Sequence, residues 1–359
     1  MQRSSHGADV TNALFERSPG LRGRVPWIAL ADTPTPVVEL PAPAGFAGRL
    51  FAKRDDLTSP RFGGNKVRKF EYLLADAERL GARALVTAGG IGSNQCLAAA
   101  LHGRARGHGV QLSLVRQPVS DRVRDALRGM AAAGARIRYA GTMPGALANV
   151  RRALREERRA GAHPYFLPFG ATNALGTLGY VSAGLELAAQ VREGLCPQPD
   201  CQLVAAGTCG TAAGLLVGMR LAGMNSRVVA VGVVHRAWLT RMLILWYANR
   251  AAALLARLDA TIPRMRFGWG DVDVVGDQLG PGYGHITPAA GRAVEWARPH
   301  LSLETTYTGK ALASLLEPRG ALARARVVLF WDTQNSSSFP MASTVDDLPN
   351  RLRDLVARS

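Results

Sequence analysis

Lysine is scarce in this sequence of 359 residues, although basic residues are abundant. Of the 44 lysine and arginine residues, only four are lysine, at Lys53, Lys66, Lys69 and Lys310. Arginine stays protonated, whereas a buried lysine can lose its proton and attack a carbonyl. Two of the four lie in "FGGNKVRKFEYL" (62–73), so this stretch is the candidate for a reactive amine.

Cysteine is rare as well, with four residues in the chain. Cys196 and Cys201 have no neighbouring Cys/His pair that could complete a zinc site, and we predict no bound metal. Disulfide frameworks belong to small secreted chains rich in cysteine, so none is expected in a chain of this size.

Long hydrophobic runs are absent. The N-terminus, "MQRSSHGADVTNALFERSPG", has no apolar core of signal-peptide length, and the first 25 or so residues are expected to be a loose arm. The nearest candidate for a membrane span, residues 237–258, is interrupted by Arg241 and Arg250 and is interpreted as a buried or partner-contacting helix. We therefore predict a cytoplasmic protein without membrane contact.

Positive charge exceeds negative charge, with a formal net charge of +17. Such a surface could favour acidic partners. No helix-turn-helix, zinc-finger or RNA-binding pattern accompanies the charge, so no nucleic-acid partner is predicted. A basic nucleic-acid binder stays an alternative from a different functional class.

Short apolar segments alternate with amphipathic segments after the N-terminal arm. Strands are predicted at 84–88, 110–115, 136–139, 202–206, 227–234 and 326–331. Helices are predicted at 65–79, 94–106, 121–133, 146–159, 177–192, 211–222, 239–257, 287–298 and 308–317. This alternation is typical of parallel sheets with helices on both faces, in which ligands bind at the carboxyl ends of the strands.

Polar loops directly follow three of the predicted strands. In "GGIGSNQ" (89–95), Ser93 can cap a helix whose first amides could hold a carboxylate, although plain capping explains it equally well. "GTCGT" (207–211) has the glycines and hydroxyls of a phosphate-binding helix start, but it is neither a Walker loop nor a dinucleotide loop. "DTQN" (332–335) brings polar groups to the end of the last strand.

A reactive lysine beside phosphate and carboxylate sites fits one kind of ligand best. A cofactor aldehyde that bears a phosphate could be bonded to the lysine, and an amino acid would be the substrate. Pyridoxal 5′-phosphate is the economical choice.

Six segments, in order and over residues 35–335, resemble the D-cysteine desulfhydrase / 1-aminocyclopropane-1-carboxylate deaminase family. They are "KRDDL…GGNKVRKFEYLLADA" (53–77), "GGIGSNQ" (89–95), "PFGATNALGTLGYVSAGLELA" (168–188), "GTCGTAAGLLVG" (207–218), "GYG" (282–284) and "YTGKALA" (307–313). These are pyridoxal-phosphate enzymes of fold type II, the tryptophan-synthase-β type. The resemblance implies an α/β protein with two three-layer domains of mainly parallel sheets, associated as a homodimer. Residues 1–59 and 171–359 would form the larger, cofactor-binding domain, and 60–170 the smaller, mobile one.

The resemblance also assigns roles to the residues around the cofactor. Lys66 would bond to the cofactor aldehyde, and Lys69 would be structural. Ser93 would be the active-site hydroxyl, and Asn94 would bind the ring O3′. The residue at the pyridine nitrogen would be Thr333, unless neighbouring Asp332 reaches that atom.

Further roles concern the phosphate and the substrate. Four consecutive residues would bind the phosphate: Thr208, Cys209, Gly210 and Thr211. Tyr307 would lie against the cofactor ring and Tyr283 would face the substrate. Ser93, Asn94 and Gln95 would hold the substrate carboxylate. His235 and His285 have no assigned role, and either could line the pocket.

Several positions depart from the family pattern. Gly92 stands where the family usually has glutamine, Leu97 replaces an arginine, and 332–335 replaces a His-Thr-Gly-Gly-like end. Gln95 resembles the deaminase branch, whereas Thr308 resembles the desulfhydrase branch, which has no glutamate there. The prediction is a lyase or deaminase, with α,β-elimination that gives a 2-oxo acid and ammonia preferred. The alternatives are cyclopropane deamination, β-replacement and non-catalytic binding of a small molecule.

Overall fold

The computed structural model describes residues 11–344, 346 and 348–357, and the strands in this part form two sheets. The strands are β1 (Val37–Leu40), β2 (Arg49–Lys53), β3 (Ala84–Gly90), β4 (Gly109–Val115), β5 (Arg136–Gly141), β6 (Pro164–Phe166), β7 (Cys201–Ala206), β8 (Arg227–Gly232), β9 (Val272–Val275) and β10 (Val327–Trp331). A six-stranded sheet has the order β1-β2-β10-β7-β8-β9, and a four-stranded sheet has the order β5-β4-β3-β6.

All strand pairs are parallel except β1–β2. The helices are α1 (Ala13–Arg17), α2 (Asn65–Arg79), α3 (Asn94–Ala105), α4 (Asp121–Ala132), α5 (Met143–Arg159), α6 (Ala174–Arg192), α7 (Gly210–Ala222), α8 (Ala237–Leu258), α9 (Pro288–Ala297), α10 (Thr308–Ala313), α11 (Ala321–Arg324) and α12 (Asn350–Ala357). The predicted α/β class with mainly parallel sheets is therefore confirmed.

Glycines bring α6 and α7 into close contact. A Cβ on Gly214 would lie 2.6 Å from the carbonyl oxygen of Thr177, and one on Gly218 would lie 2.6 Å from that of Val181. A side chain at either position would push the two backbones apart. The start of α7, which is the "GTCGT" loop, is thereby fixed against α6.

The expectation of a loose N-terminal arm is wrong from residue 13 onward. Helix α1 is capped by the Asn12 side chain, which accepts from the backbone of Leu14. Leu14, Leu21 and Val25 are buried in the core. A helix of five residues leaves too short a pattern to be seen in the sequence, and residues 1–10 lie outside the described part.

Other differences concern short elements. Strands β1, β2, β6 and β9, each of three to five residues, were not predicted. Strand β8 ends at Gly232 and not at residue 234, and α10 ends at Ala313 and not at residue 317. No helix in the described ranges is long and apolar enough to cross a membrane.

Candidate functional site

A cavity of about 340 Å³ lies at the carboxyl ends of β3, β7 and β10, and residues from both sheet regions line it. This is within the size range of small-molecule sites. Every predicted site residue except one lines the cavity: Lys66, Ser93, Asn94, Gln95, Thr208, Cys209, Thr211, Tyr283, Tyr307 and Thr333. The exception, Gly210, is the first residue of α7 beside it.

Lys66 is the second residue of α2 and its amine belongs to this cavity. The helix begins after Gly64, whose φ of 88° favours glycine, and the Asn65 amide donates to the Thr333 carbonyl oxygen at 3.1 Å. Burial lowers the pKa of Lys66 to about 8. Among the described residues its Nζ has no hydrogen-bond or ion-pair partner, so a fraction of the amine is uncharged near neutral pH and free to react.

The start of α7 is built to accept an anion. Its N-cap, Cys209, has a φ of 71°, and no side chain caps the first amides of the helix within the described residues. Beside the start of α7, the hydroxyl groups of Thr208 and Thr172 form a hydrogen bond, with their oxygens 2.8 Å apart. Uncapped amides and the positive end of the helix dipole together attract a negatively charged group.

Lys69, for which the resemblance implies a structural role, lies behind this loop. Its Nζ donates to Thr172 Oγ1 at 3.2 Å, and a Cβ on Gly210 would lie 3.1 Å from the same nitrogen. Burial and the neighbouring charge of Lys66 hold the pKa of Lys69 well below its usual value. Lys69 follows Lys66 by three positions, which places both on one face of α2. This spacing was the sequence feature that could have indicated that the two amines lie near the same site.

The start of α3 provides a second set of polar groups. Ser93 Oγ accepts from the Cys96 amide at 3.3 Å, so it caps the helix and still lines the cavity. The Gln95 side chain donates to Thr87 Oγ1 at 3.0 Å and is directed toward β3. Asn94 Nδ2 donates to Gln334 Oε1 at 2.9 Å.

Two tyrosines form a hydrogen-bonded pair at the cavity wall. The hydroxyl oxygens of Tyr283 and Tyr307 are 2.8 Å apart. The Glu304 carboxylate accepts from the Tyr307 amide at 2.7 Å and fixes the start of α10. Burial raises the pKa of Tyr283 to about 12 and that of Tyr307 well above its usual value. Both phenols are therefore neutral at physiological pH and can donate hydrogen bonds.

The end of β10 brings a threonine and not an aspartate to the lining of the cavity. Thr333 lines the cavity, whereas Asp332 is fully buried outside its lining. Asp332 Oδ1 accepts from the Gln334 amide at 3.3 Å, and Oδ2 has no partner among the described residues. Burial and the nearby charge of Asp56 raise the pKa of Asp332 well above its usual value.

Other lining residues were only partly anticipated. His235 lines the cavity, whereas His285 is not among its lining residues. Asn65 lines it as well and donates from Nδ2 to Thr211 Oγ1 at 3.1 Å. The described residues include no group of three or more His, Cys, Asp or Glu that could hold a metal ion.

Comparison with known proteins agrees with this chemistry. The family model described as "Pyridoxal-phosphate dependent enzyme" matches residues 28–332. The D-cysteine desulfhydrase of Salmonella paratyphi B is 32% identical over 305 residues, which cover 82% of this chain and 88% of that protein. A crystal structure of an ACC deaminase homologue is 27% identical, with a TM-score of 0.78, over 89% of this chain and 95% of that one.

Maize serine racemase shares the fold, with a TM-score of 0.60 and 16% identity over 91% of this chain and 93% of that one. The family match spans most of the chain, and the ends of its parallel strands enclose a free lysine and an anion site. The chain accordingly belongs to the pyridoxal-phosphate-dependent enzymes and has the fold of their type II members.

Proposed function

We propose that this enzyme catalyses α,β-elimination from a small β-substituted amino acid, in the manner of D-cysteine desulfhydrase. The observation that carries the proposal is the placement of the Lys66 amine, whose pKa is lowered to about 8, and the uncapped start of α7 in one cavity. The identity to the desulfhydrase supports the choice of a sulfur-bearing substrate.

The cavity fits the cofactor. When bound, pyridoxal phosphate supplies an aldehyde for an amine and a ring that withdraws electrons from the substrate's α-carbon. The amides and hydroxyls of Thr208, Cys209, Gly210 and Thr211 would hold the phosphate, with the Lys69 amine behind them. A Cβ on Gly207 would lie 3.2 Å from Tyr307 Cε1, so the tyrosine ring adjoins this loop.

The protein's own groups move the protons. Lys66, with a pKa of about 8, can take the proton from the α-carbon near neutral pH. The tyrosine pair can donate a hydrogen bond to the departing sulfur, and the protonated Lys66 amine can supply its proton. The Cα–H and Cβ–S bonds break, the sulfur leaves as a thiol, and water replaces the amino group. Cysteine and water thus give pyruvate, ammonia and hydrogen sulfide.

Thr333 supports elimination over reactions that need a strongly stabilised carbanion. Its neutral hydroxyl cannot hold a positive charge on a ring nitrogen as a carboxylate would. Asp332 is buried away from the cavity lining and does not replace it there. Weaker electron withdrawal favours prompt loss of a leaving group from the β-carbon.

The second candidate is deamination of 1-aminocyclopropane-1-carboxylate. The likeness to the ACC deaminase homologue favours it, as does Gln95. Thr308 counts against it, since no carboxylate is available at that position to assist ring opening. β-Replacement uses the same groups and differs only in whether a second nucleophile enters.

The substrate is tested by incubating the holoenzyme with D- and L-cysteine, their serine analogues and 1-aminocyclopropane-1-carboxylate. We expect 2-oxo acid and sulfide from a cysteine isomer, and no product from Lys66→Ala in a parallel assay. Product from the cyclopropane but not from either cysteine would contradict the choice of elimination.

The domain assignment belongs to the same proposal. Residues 60–170 would form a smaller domain that closes over the substrate, and 1–59 with 171–359 would hold the cofactor. The cavity's position between the two sheet regions supports this division. We also propose that the enzyme is a homodimer, which sedimentation tests. We propose further that it has no nucleic-acid partner, which is tested by its retention on a nucleic-acid column.

A further inference from the structure

Asn94 is held at both ends of its side-chain amide. Its Nδ2 donates to Gln334 Oε1 at 2.9 Å, and its Oδ1 accepts from Arg122 Nη2 at 3.3 Å. Asn94 begins α3, Arg122 lies on α4, and Gln334 follows β10. These contacts therefore join the two sheet regions beside the cavity.

The direction of this hydrogen-bond chain is fixed by its ends. Gln334 Nε2 donates to the backbone carbonyl of Asn335 at 3.2 Å, and a carbonyl can only accept. At the other end, the guanidinium of Arg122 can only donate. An amide side chain is nearly symmetric in shape, so only such partners decide which end is oxygen and which is nitrogen. Asn94 must turn its NH₂ group toward Gln334.

That NH₂ group has two hydrogens, and the hydrogen bond to Gln334 uses one of them. Asn94 lines the cavity, so the second N–H is available to a ligand. A flipped amide would offer a carbonyl oxygen instead, which repels an acceptor oxygen. The hydrogen-bond chain thus determines whether Asn94 attracts or repels an acceptor oxygen of a ligand.

Arg122 makes few other polar contacts among the described residues. It makes no ion pair there, and its single side-chain hydrogen bond is the one to Asn94. Burial lowers its pKa, opposed by the charge of Glu304, and an arginine remains protonated under such a shift. At the other end, Gln334 supplies the acceptor that completes the arrangement.

We propose that Arg122 and Gln334 are positioning residues that make Asn94 an N–H donor toward an acceptor oxygen of the bound ligand. The inference builds on the proposed function, in which that oxygen belongs to the cofactor ring or to the substrate carboxylate. Neither Arg122 nor Gln334 needs to touch the reacting atoms for this role.

The test uses Arg122→Met, Gln334→Leu and Asn94→Ala, with the Kd of apoenzyme for pyridoxal phosphate and the KM of holoenzyme measured for each. We expect each single variant to weaken one of these constants by about tenfold, the cost of one buried polar contact. A higher Kd identifies the cofactor oxygen, and a higher KM at unchanged Kd identifies the carboxylate. Changes below twofold would overturn the proposal.

Double variants test whether both residues act through Asn94. In an Asn94→Ala background, Arg122→Met and Gln334→Leu should produce no further loss, because the group they orient is gone. Losses that simply add in that background would contradict the proposal. If Asn94→Ala alone changes neither constant, the proposal fails while the role of Lys66 is untouched.

Two controls separate orientation from packing. Gln334→Glu keeps an acceptor for Asn94 and should retain more affinity than Gln334→Leu, and equal losses in the two would mean that only size matters. Arg128→Met removes an arginine from the same helix, one that donates to Ala342 and does not line the cavity. It should leave both constants unchanged, and thermal unfolding should show that all variants are folded.

Discussion

At the scale of single residues, we propose for Lys66 a role that arginine could not fill in this arginine-rich chain. After burial a lysine can lose its proton near neutral pH, whereas an arginine cannot. The pKa of Lys66, about 8, is close enough to neutral for part of the amine to be unprotonated. The sequence alone proposed this role, because lysine is scarce and the "GGNK" lysine matches the family pattern, and the structure places the residue in the cavity lining. The Arg122–Asn94–Gln334 arrangement was not predictable, since it pairs side chains 240 positions apart whose meeting depends on the packing of both sheets.

Burial of this amine should make the apoprotein less stable. The pKa of Lys66 is near 10.5 in the unfolded protein and about 8 in the folded protein. The free-energy cost of burying the protonated amine is therefore complete below pH 8 and disappears as the pH rises to 10.5. Lys66→Met should therefore stabilise the apoprotein by up to about 3 kcal/mol at pH 7 and by almost nothing near pH 10.5. Urea unfolding at both pH values measures this.

The matched control for that experiment is Arg128→Met. Arginine does not titrate between pH 7 and 10.5, so its effect on stability should be the same at both. A Lys66→Met protein that is less stable than wild type at pH 7 would show that the amine is not buried at a cost.

At the scale of elements, the boundaries of long helices followed from the sequence and short strands did not. Helix α2 was predicted at 65–79 and is observed at Asn65–Arg79. Strand β2 was missed because it is short and pairs with β10, which lies far away in the sequence. This segment forms a strand only when the sheet assembles, so the residues around it in the sequence do not predict it.

The start of α7 acts as a unit with Lys69. Lys69→Met removes an amine that the negative charge of a bound phosphate would favour in its protonated form, so it should weaken binding of pyridoxal phosphate to the apoprotein by about tenfold. Binding of pyridoxal, which lacks the phosphate, should change little. Equal losses for the two ligands would place the effect of Lys69 elsewhere in the cavity. Fluorescence titration of apoprotein with each compound makes the comparison.

At the scale of the whole molecule, a buried charge network ties α2, which carries Lys66, to the larger sheet. Arg68 on α2 pairs with Asp55 and with Glu186 on α6, and Lys53 at the end of β2 pairs with the same glutamate. Although burial opposes it, the charges of Arg68 and Lys53 lower the pKa of Glu186 to about 2. Arg68 is two residues from Lys66, so this network also holds the reactive amine in place.

Breaking the network should be costly. Glu186→Gln leaves buried cations without their partner and should lower the free energy of unfolding by about 3–5 kcal/mol at pH 7. The stability that the glutamate contributes is complete above pH 4.5 and lost as the pH falls toward 2, so the variant should show a flatter decline over that range. Parallel curves for wild type and variant, measured by urea unfolding from pH 2 to 7, would contradict this account.

The most direct measurement is reduction of the holoenzyme with borohydride, followed by mass spectrometry of its peptides. The account predicts yellow protein in which the reduced cofactor is attached to Lys66 and to no other residue, and a Lys66→Ala protein that carries no such adduct. Attachment at Lys69 or elsewhere, or full turnover by the Lys66→Ala protein, would contradict it.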